Sequence, residues 1–88
     1  MEREVLLAES RIQLTTKEYD ILKLLACSPG QVFSYSQIYE KVWEEDYSYE
    51  KNIIMSHIRH LRKKIEPDLA HPRYIENVRG VGYRFKKQ

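Results

Sequence analysis

The chain has 88 residues, of which 42% are hydrophobic and 32% are charged. These fractions are typical of one small folded domain and argue against an intrinsically disordered or fibrous protein. The sequence has no apolar stretch long enough to cross a bilayer and no secretory leader, so we expect a cytoplasmic protein. Its one cysteine, Cys27, cannot form an internal disulfide, and we expect it to be a small buried residue on a helix.

The charge is divided unevenly along the chain, although the net charge is only +2. Residues 1–50 carry 5 Lys/Arg and 10 Asp/Glu, a balance of −5. Residues 51–88 carry 10 Lys/Arg and 3 Asp/Glu, a balance of +7. A basic half joined to an acidic half favours a polyanion-binding face, with an ordinary solvated surface as the alternative.

The chain begins with two short apolar-rich segments, residues 4–8 and 11–14, which predict a β-hairpin around a turn at residues 9–10. Thr15, followed three residues later by Glu18, has the form of a capping box, in which each side chain accepts a hydrogen bond from the other backbone amide. The dense apolar residues that follow predict a largely buried first helix, which a Ser-Pro-Gly sequence ends.

A brief extended segment at residues 31–33 leads to a second capping box at residues 34–37. The box predicts a second helix, with Ile38, Val42 and Trp43 on its inner side.

An acidic, tyrosine-rich connection then leads to a third helix, predicted over residues 50–66 and ended by Pro67. Its apolar residues recur at intervals of four, three and four, which places them on one side of the helix: Ile54, Ile58, Leu61 and Ile65. The last segment predicts two strands, residues 73–79 and 82–87, around the turn Arg79-Gly80-Val81-Gly82. The predicted order of an α+β domain is therefore hairpin, three helices, hairpin.

The outward side of the third helix carries charges of one sign. From Lys51 to Lys64 there are five Lys/Arg and no acidic residue, although an ordinary surface helix mixes signs to gain i,i+4 pairs. The outward positions are Lys51, Asn52, Met55, Ser56, Arg59, His60, Arg62, Lys63 and Lys64. A helix of this kind fits the major groove of B-DNA, whereas a basic helix on a protein-interaction module is the alternative. Arg79, flanked by small residues at a hairpin tip, suits a narrow groove.

Other chemistries find less support in the sequence. His57 and His60 have a helical spacing that could hold a metal, but no third ligand of matching geometry is evident. No nucleophile or phosphate-binding loop accompanies the acidic residues at 44–46, which we interpret as a solvated loop. We therefore expect no catalytic residue, no metal and no cofactor.

Four motifs resemble the OmpR/PhoB-type effector domain of bacterial response regulators. They are LTTKEYDILKLL at 14–25, the pair Val42-Trp43, HIRHLRKKIE at 57–66, and YIENVRGVGYRF at 74–85. The resemblance covers nearly the whole chain. It implies a winged helix-turn-helix, in which the third helix is the recognition helix and the C-terminal hairpin is the wing.

The resemblance also implies roles for individual residues. Base contacts are implied for Asn52, Ser56 and His60 in the major groove and for Arg79 in the minor groove. Contacts with the sugar-phosphate backbone are implied for Trp43, His57, Arg59, Arg62 and Tyr83. We expect the basic residues Lys51 and Lys63 of the third helix to contact the backbone as well. The loop between the second and third helices, including Glu44, Glu45, Asp46 and Tyr47, is implied to face RNA polymerase.

The partners implied are double-stranded DNA, RNA polymerase, a phosphorylated receiver domain and its histidine kinase. The domain is expected to be a monomer alone and a head-to-tail dimer on direct repeats. We expect the chain to be a piece of a longer protein, and this piece does not include the receiver domain, because it holds only the last hairpin of the family's usual four-stranded N-terminal sheet. The chain departs from the family at Asn52-Ile53, where Arg-Thr is frequent, and at His60, where Arg is common, so the resemblance does not imply a base preference.

Overall fold

The computed structural model describes residues 2–7, 10–47 and 50–88. The elements in chain order are β1 (Glu2–Leu7), β2 (Ser10–Thr15), α1 (Thr16–Ala26), β3 (Val32–Ser34), α2 (Tyr35–Trp43), α3 (Lys51–Ile65), β4 (Ile75–Val78) and β5 (Gly82–Phe85). This is the predicted α+β order with one further strand, β3. Helices α2 and α3 form the helix-turn-helix, and β4 and β5 form the wing.

The N-terminal hairpin is confirmed, with β1 and β2 paired antiparallel from Glu2↔Thr15 to Leu7↔Ser10. Strand β1 begins two residues earlier than predicted, and Ser10, predicted in the turn, is the first residue of β2. Residues 8 and 9, to which the rest of that prediction refers, lie outside the described residues. The hairpin forms a two-stranded sheet of its own.

Both predicted capping boxes are confirmed. The Thr15 hydroxyl accepts from the Glu18 amide at 3.2 Å, and the Glu18 carboxylate accepts from the Thr15 amide at 3.0 Å. At the start of α2, the Ser34 hydroxyl accepts from the Gln37 amide at 3.1 Å, and the Gln37 side-chain oxygen accepts from the Ser34 amide at 2.9 Å. Each box satisfies amides that a helix start leaves without partners, and therefore fixes where its helix begins.

The core collects side chains from all three helices and from β2, β3, β4 and β5. Its buried hydrophobic members among the described residues are Leu14, Ile21, Leu25, Phe33, Ile38, Tyr39, Val42, Ile54, Ile58, Leu61, Ile65, Ile75 and Tyr83. The four residues predicted to form the apolar side of α3 are all among them. Each fully buried aliphatic side chain contributes about 1.5–3 kcal/mol. Burial of this side leaves the opposite side of α3 outward.

Strand β3 adds a third strand to the wing sheet, whose order is β3-β5-β4. It pairs antiparallel with β5 from Val32↔Arg84 to Ser34↔Gly82. The sequence predicted an extended segment at residues 31–33 but no partner for it. Strands β4 and β5 span residues 75–78 and 82–85, shorter than the predicted 73–79 and 82–87.

The end of α3 is tied to β4 by a buried carboxylate. Glu66 accepts hydrogen bonds from the backbone amides of Arg73, Tyr74 and Ile75, at 2.6 to 3.2 Å. These amides lie before or at the start of β4, where the loop from α3 enters the sheet. The carboxylate therefore fixes the direction in which the chain returns to the sheet after α3.

The prediction that Cys27 is a buried helical residue is wrong. Cys27 is exposed and caps the C-terminus of α1, where its amide donates to the carbonyl of Lys23 at 3.0 Å. The reason is the position of Cys27 around the axis of α1. Ile21 and Leu25 define the buried side of α1, and a residue two positions after Leu25 lies about 200° around the helix. None of the described helices has the length and apolar character needed to cross a membrane.

Candidate nucleic-acid interface

The outward side of α3 presents a surface with cations at both ends and uncharged residues between them. Its exposed residues are Lys51, Asn52, Met55, Arg59, His60, Lys63 and Lys64, whereas Ser56, His57 and Arg62 are partly buried. The helix contains no acidic residue. A surface groove of about 580 Å³ runs along this side and is lined by Asn52, Met55, Ser56, Ile58, Arg59, Arg62, Leu69 and Tyr83. The groove joins α3 to the wing sheet and to the loop that follows α3.

One of the five cations of α3 is paired within the protein. Lys64 donates to the buried carboxylate of Glu18 at 2.7 Å. Burial raises the pKa of Glu18. The hydrogen bond and charge of Lys64, together with hydrogen bonds from Thr15, lower this pKa by a larger amount, so the net shift is downward. Arg59 and Lys63 form no ion pair with any acidic side chain in the described part of the chain. Their charges are therefore available to a partner.

The N-terminus of α3 lacks a side-chain cap. Glu50 stands at the cap position with φ −92° and ψ 79°, and its side chain makes no capping hydrogen bond. Lys51 follows, with its ammonium 5.4 Å from the centre of the Tyr35 ring. A lysine in the first turn is unfavourable to the helix dipole, so this end of α3 is electropositive.

An aromatic cluster joins α2 to α3. The Trp43 ring stacks on Tyr39 with centroids 5.1 Å apart, and meets His57 edge-on at 5.0 Å. His57 Nδ1 lies 2.8 Å from the carbonyl of Ile53, to which it donates. Lys17 reaches the cluster from α1, with its ammonium 5.3 Å from the Trp43 ring. These contacts place Trp43 and His57, both partly buried, at the margin of the outward side of α3.

His57 is thus held through Nδ1 by the backbone of its own helix. In the part of the chain that the structure describes, no three His, Cys, Asp or Glu side chains are grouped so that they could hold a metal ion.

Tyr83 lies on β5 beneath the groove and is 4% exposed. Its ring meets Tyr35 edge-on with centroids 5.7 Å apart. Burial, and to a smaller degree Tyr35, raise the pKa of Tyr83 to about 12, against smaller lowering effects of Asn77 and Arg62. Arg62 also lines the groove, and its buried Nε has no hydrogen-bond partner within the described residues. Among the groove residues that are predicted to contact the DNA backbone, Tyr83 is therefore the least exposed.

The wing turn presents Arg79 to solvent. The Val81 amide donates to the Val78 carbonyl at 2.9 Å, and Gly80 has a φ of +77°, a left-handed conformation that favours glycine. Arg79 is exposed, and Val81 is 48% exposed beside it. No acidic side chain of the described residues pairs with Arg79. The guanidinium therefore lies free at the tip of the hairpin.

The acidic loop after α2 is solvated, as predicted. Glu44, Glu45 and Asp46 are exposed, and Glu44 ends α2 in a left-handed conformation with φ 56°. The Glu40 carboxylate accepts from the Tyr47 amide at 3.3 Å. Residues 48 and 49 of the predicted polymerase-facing loop lie outside the described residues.

The structure brings most of the predicted contact residues to one side of the molecule. Asn52, Ser56, Arg59, Arg62 and Tyr83 line one groove, whereas Arg79 lies apart from them at the wing tip. Sequence reasoning missed Leu69, which lines the same groove from the loop after α3. It also missed Glu40, which joins the acidic loop residues around one surface depression. The only sequence signal for Leu69 was a large apolar residue in a mostly polar loop.

Comparison with known proteins decides the family. The family model described as "Transcriptional regulatory protein, C terminal" matches residues 9–85. The chain belongs to this family. Its members are the DNA-binding C-terminal domains of OmpR/PhoB-type response regulators and not enzymes, which confirms the resemblance described above.

Curated relatives are bacterial regulators of greater length. The transcriptional regulatory protein YrkP of Bacillus subtilis is 49% identical over 83 residues, which cover 93% of this chain and 36% of that protein. The regulatory protein VanR of Enterococcus faecium is 39% identical over 85 residues, 96% of this chain and 37% of that protein. The chain thus spans about a third of the length of the curated relatives it matches.

Solved structures of the family share the fold. The response regulator DrrB of Thermotoga maritima, an OmpR/PhoB homologue, superposes with a TM-score of 0.80 and 38% identity, covering 90% of this chain and 36% of that one. The RstA DNA-binding domain of Klebsiella pneumoniae, solved in complex with the RstA box, superposes with a TM-score of 0.86 and 28% identity, covering 96% and 83%. These matches confirm the winged helix-turn-helix.

Proposed function

We propose that this domain binds specific sequences of double-stranded DNA as the output domain of a two-component response regulator. In this proposal α3 lies in the major groove and Arg79 enters the minor groove. The observation that carries it is the uncompensated charge of α3, where Arg59 and Lys63 lie four residues apart without an acidic partner in the described structure. Like charges at this spacing destabilise a free helix slightly, and phosphates would offset that cost.

The proposed base contacts lie in the first three turns of α3. Asn52 and His60 are exposed, and Ser56 is partly buried between them on the same side. An asparagine can bond both the N6 and N7 edges of adenine, and serine can bond either partner of a base pair. The spacing of four residues places the three side chains one above the other along the groove.

Backbone contacts would surround these residues. Lys51, Arg59 and Lys63 would neutralise phosphates from the exposed side of α3. Trp43, His57, Arg62 and Tyr83 are more enclosed, so they would meet the sugar-phosphate backbone only with the polar edges that face the groove or the α2–α3 margin. Arg62 lines the groove together with Arg59, which supports such a contact for its guanidinium.

The remaining partners follow from the family. We propose that the acidic loop, with Glu44, Glu45, Asp46 and Tyr47, faces RNA polymerase, and that a receiver domain controlled by a histidine kinase precedes this domain in the complete protein. Two copies would bind direct repeats head to tail, and the domain alone would be a monomer. Support for the loop assignment is its exposure and its charge, which is opposite to that of α3.

The first test is a selection of the domain against a randomised pool of double-stranded DNA, followed by affinity measurements on the retained sequence. Replacing Arg59, Lys63 or Arg79 by Ala should weaken binding about ten-fold each, because each removes a charged contact. Loss of a phosphate contact should also reduce the slope of log K against log salt by about 0.9.

Lys23→Ala is the matched control, because Lys23 is exposed in the last turn of α1, away from α3. It should bind and respond to salt like the parent domain. Retention of DNA without enrichment of any sequence would reduce the proposal to backbone binding. No retention at all would favour a protein-interaction module that has kept the fold.

A further inference from the structure

Met55 is an exposed apolar side chain at the centre of the proposed DNA-binding side. It is 47% exposed and is one of three large hydrophobic residues exposed to this degree in the described part of the chain, with Leu69 and Val81. The core buries the opposite side of α3, through Ile54 and Ile58. A contribution to the core therefore does not explain why residue 55 is apolar.

The neighbours of Met55 are polar residues that could meet bases or phosphates. Asn52 lies one turn before it, Ser56 beside it and Arg59 one turn after it, and all four line the same groove. The groove is apolar where Met55 and Leu69 line it and cationic where Arg59 and Arg62 do. A partner that matches this groove must present an apolar group to Met55 and an anionic group close to it, to Arg59 and Arg62.

Double-stranded DNA has that combination in its major groove. Phosphates form the walls of the groove, and the C5-methyl group of thymine is the apolar feature of the base edges. A methionine suits such a contact because its thioether is flexible and polarisable, so it can follow the shape of a methyl group. Among the four base pairs, only those containing thymine offer this group.

We infer that Met55 is a specificity-determining residue that packs against the C5-methyl group of a thymine in the major groove. The inference rests on the proposed placement of α3 in that groove. It adds an apolar contact to the hydrogen bonds proposed for Asn52 and Ser56, and it predicts a thymine close to the base pair that Asn52 contacts.

The test uses the DNA sequence retained by the selection described above, in which each thymine is replaced singly by deoxyuridine. This change removes one methyl group and leaves every hydrogen-bonding group in place. At one position it should weaken binding of the parent domain about four-fold, the value expected for one buried methyl group. Met55→Ala should bind the thymine and the deoxyuridine duplexes equally.

Two variants provide controls. Val81→Ala shortens a side chain of nearly equal exposure, 48%, that lies on the wing and not on α3. It should keep the full four-fold effect of the methyl group, whatever its affinity. Met55→Leu retains an apolar side chain and should keep most of the effect. Because Met55 and Val81 are both exposed, Met55→Ala, Met55→Leu and Val81→Ala are all expected to fold, which circular dichroism will check.

The outcomes separate the two proposals. Sequence-selective binding in which no thymine responds to deoxyuridine, or in which Met55→Ala responds as strongly as the parent, overturns the inference and leaves the proposed function standing. Absence of any sequence-selective binding overturns the proposed function and the inference with it. A methyl effect that disappears only in the Met55→Ala variant supports both.

Discussion

At Gly82 the backbone of β5 lies directly against the backbone of β3. A Cβ atom built at this residue would fall 1.9 Å from the carbonyl oxygen of Phe33 and 2.9 Å from Cα of Ser34. Both are backbone atoms of a paired strand, so neither can move aside without breaking the pairing. Gly80, in the same turn, has a φ of +77° but nothing within 4 Å of such a Cβ.

We expect Gly82→Ala to lower the free energy of unfolding by more than about 3 kcal/mol, because relief of the overlap requires β3 and β5 to separate. Gly80→Ala is the control, since it meets only the left-handed backbone penalty of about 1 kcal/mol. Urea unfolding of both variants measures the difference. Equal destabilisation by the two substitutions would show that close approach of the strands is not the reason for glycine at 82.

Single residues also show where sequence reasoning reached its limit. The capping residues Thr15 and Ser34 could be predicted because a cap depends on neighbours three positions away. The contact of Tyr83 with the ring of Tyr35 could not be predicted in the same way, because Tyr35 belongs to another element. Cys27 was placed on the wrong side of α1 because a small apolar residue fits either side, and only the angle from Leu25 decides.

At the scale of elements, α1 and α3 are joined by an ion pair across 46 positions of sequence, between Glu18 and Lys64. The same carboxylate closes the capping box of α1 through Thr15. One side chain thus fixes both where α1 begins and how it packs on α3. Nothing in the local pattern around Glu18 predicts its second role, since the partner lies on an element distant in sequence.

This pair predicts a pH dependence of stability. Because the folded-state pKa of Glu18 is lowered, its contribution to stability is present above the unfolded-state pKa, whose ordinary value is 4.5, and is lost as pH falls through the folded value. The parent domain should therefore lose stability below about pH 4.5 more steeply than Glu18→Gln, which keeps an oxygen for the Thr15 amide. Thermal unfolding of both proteins between pH 7 and pH 3 provides the measurement.

The lysines adjacent in sequence provide the controls for this experiment. Lys64→Gln should weaken or abolish the acid dependence that the parent shows, whereas Lys63→Gln should keep it, because Lys63 pairs with no acidic residue in the described structure. Asp68, whose pKa is also lowered, titrates equally in every variant and cancels in the comparison. Parallel pH curves for the parent and Glu18→Gln would contradict the assignment.

At the scale of the whole molecule, one hydrophobic core connects the three helices with β2 and the wing sheet. Because helices and sheet share the same buried residues, we expect them to unfold together. Trp43, the single tryptophan, lies between α2 and α3 and reports on their packing, whereas far-ultraviolet circular dichroism reports on all helices. The two signals should give the same urea midpoint, within about 0.2 M.

A fluorescence midpoint clearly below the dichroism midpoint would contradict this prediction, because it would show that the α2–α3 packing is lost before the rest of the helical structure. Met55→Ala is a suitable control, since it alters an exposed side chain and should shift neither midpoint by much.

The order of elements and the outward basic side of α3 could be predicted because both depend on periodicities within single segments. The pairing of β3 with β5 could not be predicted, because three residues are too few to carry a pattern and their partner lies about 50 positions later. The groove along the outward side of α3 was likewise unpredicted, since Leu69 and Tyr83 reach it from separate parts of the chain. Periodicity within one segment therefore predicts elements and their buried sides, but not the contacts of β3 or Leu69 with distant parts of the chain.

The pairing of β3 with β5 fixes the position of the wing turn relative to the helix-turn-helix. Strand β3 leads directly into α2, which packs with α3 in the helix-turn-helix, and β5 leads directly from the wing turn. In the proposed binding mode, the step along the DNA between the bases met by α3 and the minor groove entered by Arg79 is therefore set by the protein backbone. One base pair added between these two positions would rotate them by about 34° relative to each other, so the two contacts could not both be kept without bending the DNA.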